Sequence, residues 1–396
     1  MLSFFPNKEA AEIPAFPQIW SARSVAFIFM QSSAGGDLVD VRRVREETRG
    51  CSNRMHLNNA GAALMPALVV DAYVGYIREE ELEGGYEVEA KRIADLNVFY
   101  SASAAMLNCK EEEVAFVESA SRGWALAFFS LTFKPGDRII TSAADYGSNF
   151  VSYLQARDKY GAEVVIVGDD AAGDLDLDVL RQEAAHARAR VICMSHIPTG
   201  GGRVIPAKEV GAIAKAHGLP YFLDACQSVG MLRVDVHELQ CQVLTATGRK
   251  FLRGPRGTGL LYVSTQFVSS LDPCMLDQQG AVLESHMSFA PVHGARRFEM
   301  WESNCAGKAA LGVAIAYALA QGLNSGVVEE RVTRLASILR QGLHGLDHVT
   351  CTDIGSRLCA IVTFVVCVCV CVCVCARACR LIERHTAEDM LSYITY

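Results

Sequence analysis

The chain is 396 residues long, 51% hydrophobic and 20% charged, enough for one large domain and a smaller one. Its net charge of -7 and pI near 5.8 give no reason to expect nucleic acid or an anionic membrane as partner, so an anionic ligand must meet a local basic pocket. The 15 cysteines show no disulfide spacing and read as a reducing compartment: eight lie between Cys351 and Cys379, and the other seven are scattered.

Residues 1–53 carry Pro6, Pro14 and Pro17, mixed charges, and an apolar patch over 25–30 that is short for a signal segment. They are expected to form a poorly ordered extension of a cytoplasmic protein. Arg23, Arg42, Arg43 and Arg45 leave open a cleaved mitochondrial or plastid transit peptide, against which Glu9 and Glu12 speak.

A large domain is expected over 54–304. It opens with a short strand, the Asn58-Asn59 loop, and a helix start at Pro66. Helices are predicted over 68–83 and 88–107, with Gly84-Gly85 between them. A strand at 114–117 feeds Glu118-Ser-Ala-Ser-Arg-Gly123 and an apolar helix to Leu131. Strands at 138–141, 163–167, 191–194, 221–223 and 243–246 follow, with helices over 177–188 and 207–217. Alternating strands and helices predict an α/β fold with a mostly parallel sheet covered on both faces. Ligands of such sheets gather at the carboxyl ends of strands, where Ser121, Asp145, His196, Asp224 and Thr247 all fall.

Residues 305–364 are expected to form part of a smaller C-terminal α+β domain, with helix over 305–321 and 327–346 and a strand at 361–364. The small domain then reads as truncated. Five cysteines alternate with valine from Cys367 to Cys375, a low-complexity run that makes 365–396 aberrant in composition. Apolar residues over 358–376 have the length of a membrane span, but a compositional repeat is the better reading and no membrane partner is expected. The repeat has neither histidine nor turn residues, and no metal site is expected.

The chemistry concentrates in two segments. Tyr221-Phe-Leu-Asp-Ala-Cys-Gln227 is a strand ending in a carboxylate and an amide. Thr245-Ala-Thr-Gly-Arg-Lys250 places a lysine before a Gly/Pro-rich turn and a further strand at 260–263. A lysine amine that forms a Schiff base, with an acid for a pyridinium nitrogen, is the chemistry of pyridoxal 5′-phosphate (PLP).

Those segments resemble the class V aminotransferase group of fold-type-I PLP enzymes, which includes cysteine desulfurases, selenocysteine lyases and isopenicillin-N-epimerase-like proteins. The resemblance covers about residues 54–364. It implies that Lys250 is the Schiff-base lysine and that Asp224 holds the pyridine nitrogen protonated. Gln227 would meet the phenolic oxygen, Tyr146 would stack on the ring, and His196 with Thr199 would face the oxygen side. Ala120 (through its backbone), Ser121, Thr247 and Arg249 would cradle the phosphate. The plain alternatives are a helix cap for Ser121 or Asp224, a loop tyrosine, and a structural histidine. Asn58 and Asn59 would face the substrate. Arg296 and Arg297 would reach a substrate carboxylate or the partner's cofactor in a homodimer, or serve as surface charge only.

The resemblance therefore implies an amino-acid enzyme performing transamination, epimerisation or lyase chemistry. Two features set limits. No counterpart of the family's small-domain carboxylate arginine follows residue 364, since Arg377 and Arg380 lack the expected context. Cys359 sits in an apolar run and the repeat cysteines lack activating neighbours, which disfavours desulfurase activity. The alternative is a degenerate PLP-fold protein that binds cofactor without turnover.

Overall fold

The structure is a computed structural model that describes residues 39–347 and 349–366. The expectations for residues 1–38 and for the Val-Cys repeat, Arg377 and Arg380 lie outside the described residues.

Seven strands build the central sheet: β1 (Val114–Val117), β2 (Arg138–Ser142), β3 (Glu163–Val167), β4 (Ala189–Ser195), β5 (Tyr221–Asp224), β6 (Val243–Thr247) and β7 (Gly259–Val263). Their order is β1-β7-β6-β5-β4-β2-β3, with parallel pairing from β3 through β6 and β7 antiparallel to both its neighbours. This is the mostly parallel sheet expected from the βα alternation.

The strands are apolar on both faces because helices cover both. Their residues alternate between two cores, as a period of two requires. Val191, Cys193, Phe222 and Val243 enter one core, which holds Trp124, Phe128 and Tyr153 from α5 (Ala120–Phe128) and α6 (Gly147–Tyr160). Ile192, Met194, Leu223 and Leu244 enter the other. That core is covered by α4 (Ile93–Leu107), α7 (Leu177–Ala184), α8 (Ala207–Ala216) and α10 (Cys305–Ala320).

One difference from the sequence reading has a local cause. The helix expected over 88–107 is broken at Arg92, whose guanidinium bridges Glu79 and Asp95, so that α3 (Gly85–Lys91) and α4 are separate. Helix α6 was not anticipated. Before them lie α1 (Val41–Glu46) and α2 (Ala67–Glu83), the former placing Val44 in the core.

Helix α9 (Val236–Leu239) is one turn, and β8 (Ala281–Ser285) with β9 (Ser288–Pro291) forms a separate hairpin. Helix α10 packs on α2 and α4. Beyond it come α11 (Val327–His344), then β10 (Val349–Cys351) paired with β11 (Phe364–Val366). The strand expected at 361–364 thus begins at its last residue. Among the described residues the nine cysteines are all free, and no helix is long and apolar enough to cross a membrane.

Candidate active site at the carboxyl ends of the strands

A cavity of about 240 Å³ opens where β4, β5 and β6 end, lined by residues from the starts of α5 and α6 and from the loop between β6 and β7. Its strand residues Ser195, Asp224 and Thr247 come from one side of the sheet. Ser195, Asp224 and Thr245 are aligned across β4, β5 and β6, and each falls on the α5/α6 side by the alternation above.

One wall suits an anion. Ser119 caps α5, its Oγ accepting from the Arg122 N–H at 3.1 Å. The cap is therefore Ser119, and the hydroxyl of Ser121 is left at the cavity wall beside Ala120. The first N–H groups of a helix lack intrahelical partners and carry the positive end of its dipole. Thr247 and Arg249 line the same cavity, as does Arg256 on the loop into β7. A side chain at Gly259 would bring its Cβ to 2.8 Å from the Ala246 carbonyl and 3.1 Å from the Ala120 nitrogen, so glycine lets β7 start against the helix terminus.

The cavity also has an acidic wall at the end of β5. Asp224 ends β5, buried, its Oδ2 accepting from Asn149 Nδ2 at 3.0 Å and its Oδ1 from the Cys226 N–H at 2.9 Å. Tyr146 precedes α6 and lines the cavity.

Lys250 lines the same cavity, 6% exposed, with Nζ 6.0 Å from the centre of the Tyr146 ring. Burial pulls its amine below the ordinary lysine range; Cys226 and Asp224 oppose this shift and Arg249 adds to it. Its loop is held against the segment after β5 by Gly230, which has φ +90° and whose Cβ would lie 2.5 Å from the Phe251 carbonyl carbon. Gln227 Nε2 donates to the Ala60 carbonyl at 3.2 Å, while its buried Oε1 has no partner.

Of the expected residues, Ala120, Ser121, Tyr146, Asp224, Gln227, Thr247, Arg249 and Lys250 converge on this cavity, with Thr199 at its edge. His196 does not line it. One residue beyond Ser195, it falls on the other side of the sheet, buried, with Nδ1 unpartnered, and burial pushes its pKa down to about 4 with help from Arg357. Asn58 and Asn59 do not line it either. Asn58 accepts from the Gly61 N–H within its own loop, and the amide of Asn59 is buried without a partner. That loop still borders the site, because the Arg249 guanidinium donates to the Gly61 carbonyl.

Arg296 and Arg297 do not line the cavity either. Arg296 stacks on Tyr100, 3.8 Å from the ring centre, and Arg297 donates to the carbonyls of Val292 and Val268. The sequence reading missed Ser195, Asn149, Cys226 and Arg256. Ser195 is the last residue of β4 and pairs with Asp224, a register that the apolar run over 191–194 before it does not reveal.

Comparison with known proteins agrees with this geometry. The chain is 27% identical over 325 residues to a probable cysteine desulfurase of Methanothermobacter thermautotrophicus, covering 81% of this chain and 80% of that protein. Its fold matches the apo cysteine desulfurase of Thermococcus onnurineus NA1 with a TM-score of 0.76 at 21% identity, over 87% and 90% of the two chains. A variant of C-DES, a cystine C–S lyase, with glycine covalently linked to its PLP cofactor matches with a TM-score of 0.75 at 20% identity, over 81% and 86%. The family model for aminotransferase class-V matches residues 55–371, the stretch that carries both walls and the lysine. The chain therefore belongs to the aminotransferase class-V family, whose members depend on PLP.

Proposed function

We propose that the cavity holds PLP and that the chain performs lyase or transferase chemistry at the α-carbon of an amino acid. The observation that carries the reading is Lys250. A lysine amine buried in one cavity with a helix-terminus anion wall and an aspartate matches a ligand with an anionic end, a basic ring nitrogen and an electrophilic carbon. The residues present fit that group: Ala120, Ser121, Thr247 and Arg249 suit its phosphate, Tyr146 its ring face, Gln227 its phenolic oxygen, and Asp224 its nitrogen.

Bound PLP supplies an electron sink for the pair released at the substrate α-carbon. The protein's part is positional and acid–base. Burial increases the neutral fraction of the Lys250 amine, so its Nζ would hold the cofactor's electrophilic carbon and would be placed to move a proton at the substrate α-carbon. Asp224, fixed by Asn149 and the Cys226 N–H, would keep a proton on the ring nitrogen. The anion wall anchors the far end so that the reacting carbon stays within reach of Nζ.

Two cysteines among the described residues do not add a nucleophile to the Lys250 amine. The thiol of Cys226 is pushed well up by burial and by Asp224, and burial raises that of Cys359 to about 11, so neither is a ready thiolate. A degenerate site finds no support here, because lysine, aspartate and anion wall converge on one cavity. The expected homodimer belongs to the same proposal, with Arg296 at a groove lined by Lys110, Glu112 and His293.

Protein purified with PLP should show a visible absorbance band, and hydride reduction should fix the cofactor on the peptide containing Lys250. Amino acids, L-cysteine and cystine included, should perturb the band, with released sulfide, pyruvate or transferred amine naming the reaction. A band that survives Lys250→Ala, or one that no amino acid perturbs, would overturn the reading. Light scattering gives the oligomeric state.

A further inference from the structure

A second carboxylate, half-buried and linked to Asp224 through Asn149, is not used by the chemistry above. Asp145 lies between β2 and α6. Its Oδ1 accepts from Ser195 Oγ at 2.5 Å, from the Tyr146 N–H at 2.7 Å and from Asn149 Nδ2 at 3.1 Å. Its Oδ2 accepts from Tyr153 OH at 2.6 Å and from Thr141 Oγ1 at 2.8 Å. These donors come from β2, β4 and α6, so Asp145 also anchors the start of α6.

Anchoring does not account for Asn149. Its Nδ2 lies 3.1 Å from Asp145 Oδ1 and 3.0 Å from Asp224 Oδ2, so one amide with two hydrogens serves two carboxylates. Asn149 is itself 1% exposed. Neither Asp145 nor Asp224 has an ion-pair partner within 4.0 Å among the described residues. Two carboxylates linked in this way, with no such ion-pair partner within 4.0 Å, favour a positive group at the open side of Asp224. Burial and the charge of Asp224 push the Asp145 carboxyl up, while Ser195, Tyr153 and Thr141 hold it down.

We propose that Asn149 is a positioning residue for Asp224, and that Asp145 acts through Asn149 to orient that carboxylate and strengthen its hold on a proton at the cofactor's ring nitrogen. The inference rests on the reading that Asp224 meets that nitrogen. It adds a device two residues deep, in which the carboxylate facing the cavity is aimed by one that never touches it.

The test measures binding to apoprotein of PLP and of its carbocyclic analogue, in which the ring nitrogen is replaced by C–H. Wild type should prefer PLP. Asp145→Asn and Asn149→Ala should each weaken PLP by roughly tenfold or more, the scale of a hydrogen bond to a charged group, and leave the analogue nearly unchanged. Equal losses for both ligands would mean a merely structural role and overturn the proposal, as would no loss for either. If Asp145→Asn does not fold, Asn149→Ser decides, since it leaves four of the Asp145 donors in place. Wild type that binds neither ligand overturns the cofactor reading and this inference together. Wild type that binds PLP, with only Asp224→Ala losing the preference, retains that reading and overturns this inference alone.

Discussion

The Lys250 cavity and the joint between the C-terminal segment and the sheet are both buried and charged, and they treat their polar atoms in opposite ways. At the joint, Asp353 accepts from the Gly202 N–H at 2.9 Å, the Thr363 N–H at 3.1 Å, Thr363 Oγ1 and Arg340 Nε at 3.0 Å. Arg340 Nη2 goes to the carbonyls of Cys359 and Ile361. Burial opposes ionisation of Asp353, yet Thr363, the Gly202 N–H and Arg340 together hold its carboxyl below the usual range. In the cavity wall, by contrast, Gln227 Oε1 is buried without a partner, and no side-chain hydrogen bond reaches Lys250 among the described residues. Polar groups that satisfy one another hold elements together. Those left facing shared space are available to a ligand.

The comparison breaks if the joint proves to be part of the site. Asp353→Asn should cost about 3–5 kcal/mol, because it leaves Arg340 charged and buried. Denaturant unfolding measures the loss, and PLP absorbance should persist at temperatures where the variant stays folded. Loss of the band in folded variant would merge the two regions.

Acid should act next, through His196. Its folded-state pKa of about 4 lies below the ordinary 6.5, so the unfolded chain takes up the proton first. Stability from this residue is complete above pH 6.5 and falls away towards pH 4, by on the order of 3 kcal/mol. His196→Gln should flatten the urea midpoint across that window.

Gly230→Ala tests the glycine that seats the lysine loop, and about 1–3 kcal/mol of backbone strain is expected. It should lower PLP affinity while far-UV circular dichroism is retained. The smallest pair sharpens the anion wall. Ser119→Ala should cost about 1 kcal/mol as a lost cap. Ser121→Ala should leave stability within about 0.5 kcal/mol and weaken PLP more than pyridoxal, which lacks the phosphate.

Much of this was legible in the sequence, for reasons that also mark where legibility ended. Lys250 and Asp224 announced themselves because each follows a compact apolar strand at a glycine- or amide-bearing turn. Parity was hidden in β4, where Val191, Ile192, Cys193 and Met194 are all apolar because both faces are covered. The sequence therefore points to His196 at the strand end and leaves Ser195 unmarked. Helix α6 was hidden for the opposite reason. Its buried stripe of Asn149, Ser152, Tyr153 and Ala156 has helical spacing, but half of it is polar. The polar half includes the amide that meets Asp224, so the feature that concealed the helix also equips the site.

The reversal of β7 bears on how the lysine can move. Because β6 leaves the sheet and β7 re-enters it at the same end, the loop between them is tied at both feet. The Gly248 N–H donates to the Thr258 carbonyl at 2.9 Å, and the Gly254 N–H to the Gly248 carbonyl at 2.7 Å. A loop closed so tightly has little freedom to swing as a lid. The moving part is then the lysine side chain itself, turning on its own methylenes from a fixed pivot, and whatever it is to touch must be brought within that short arc.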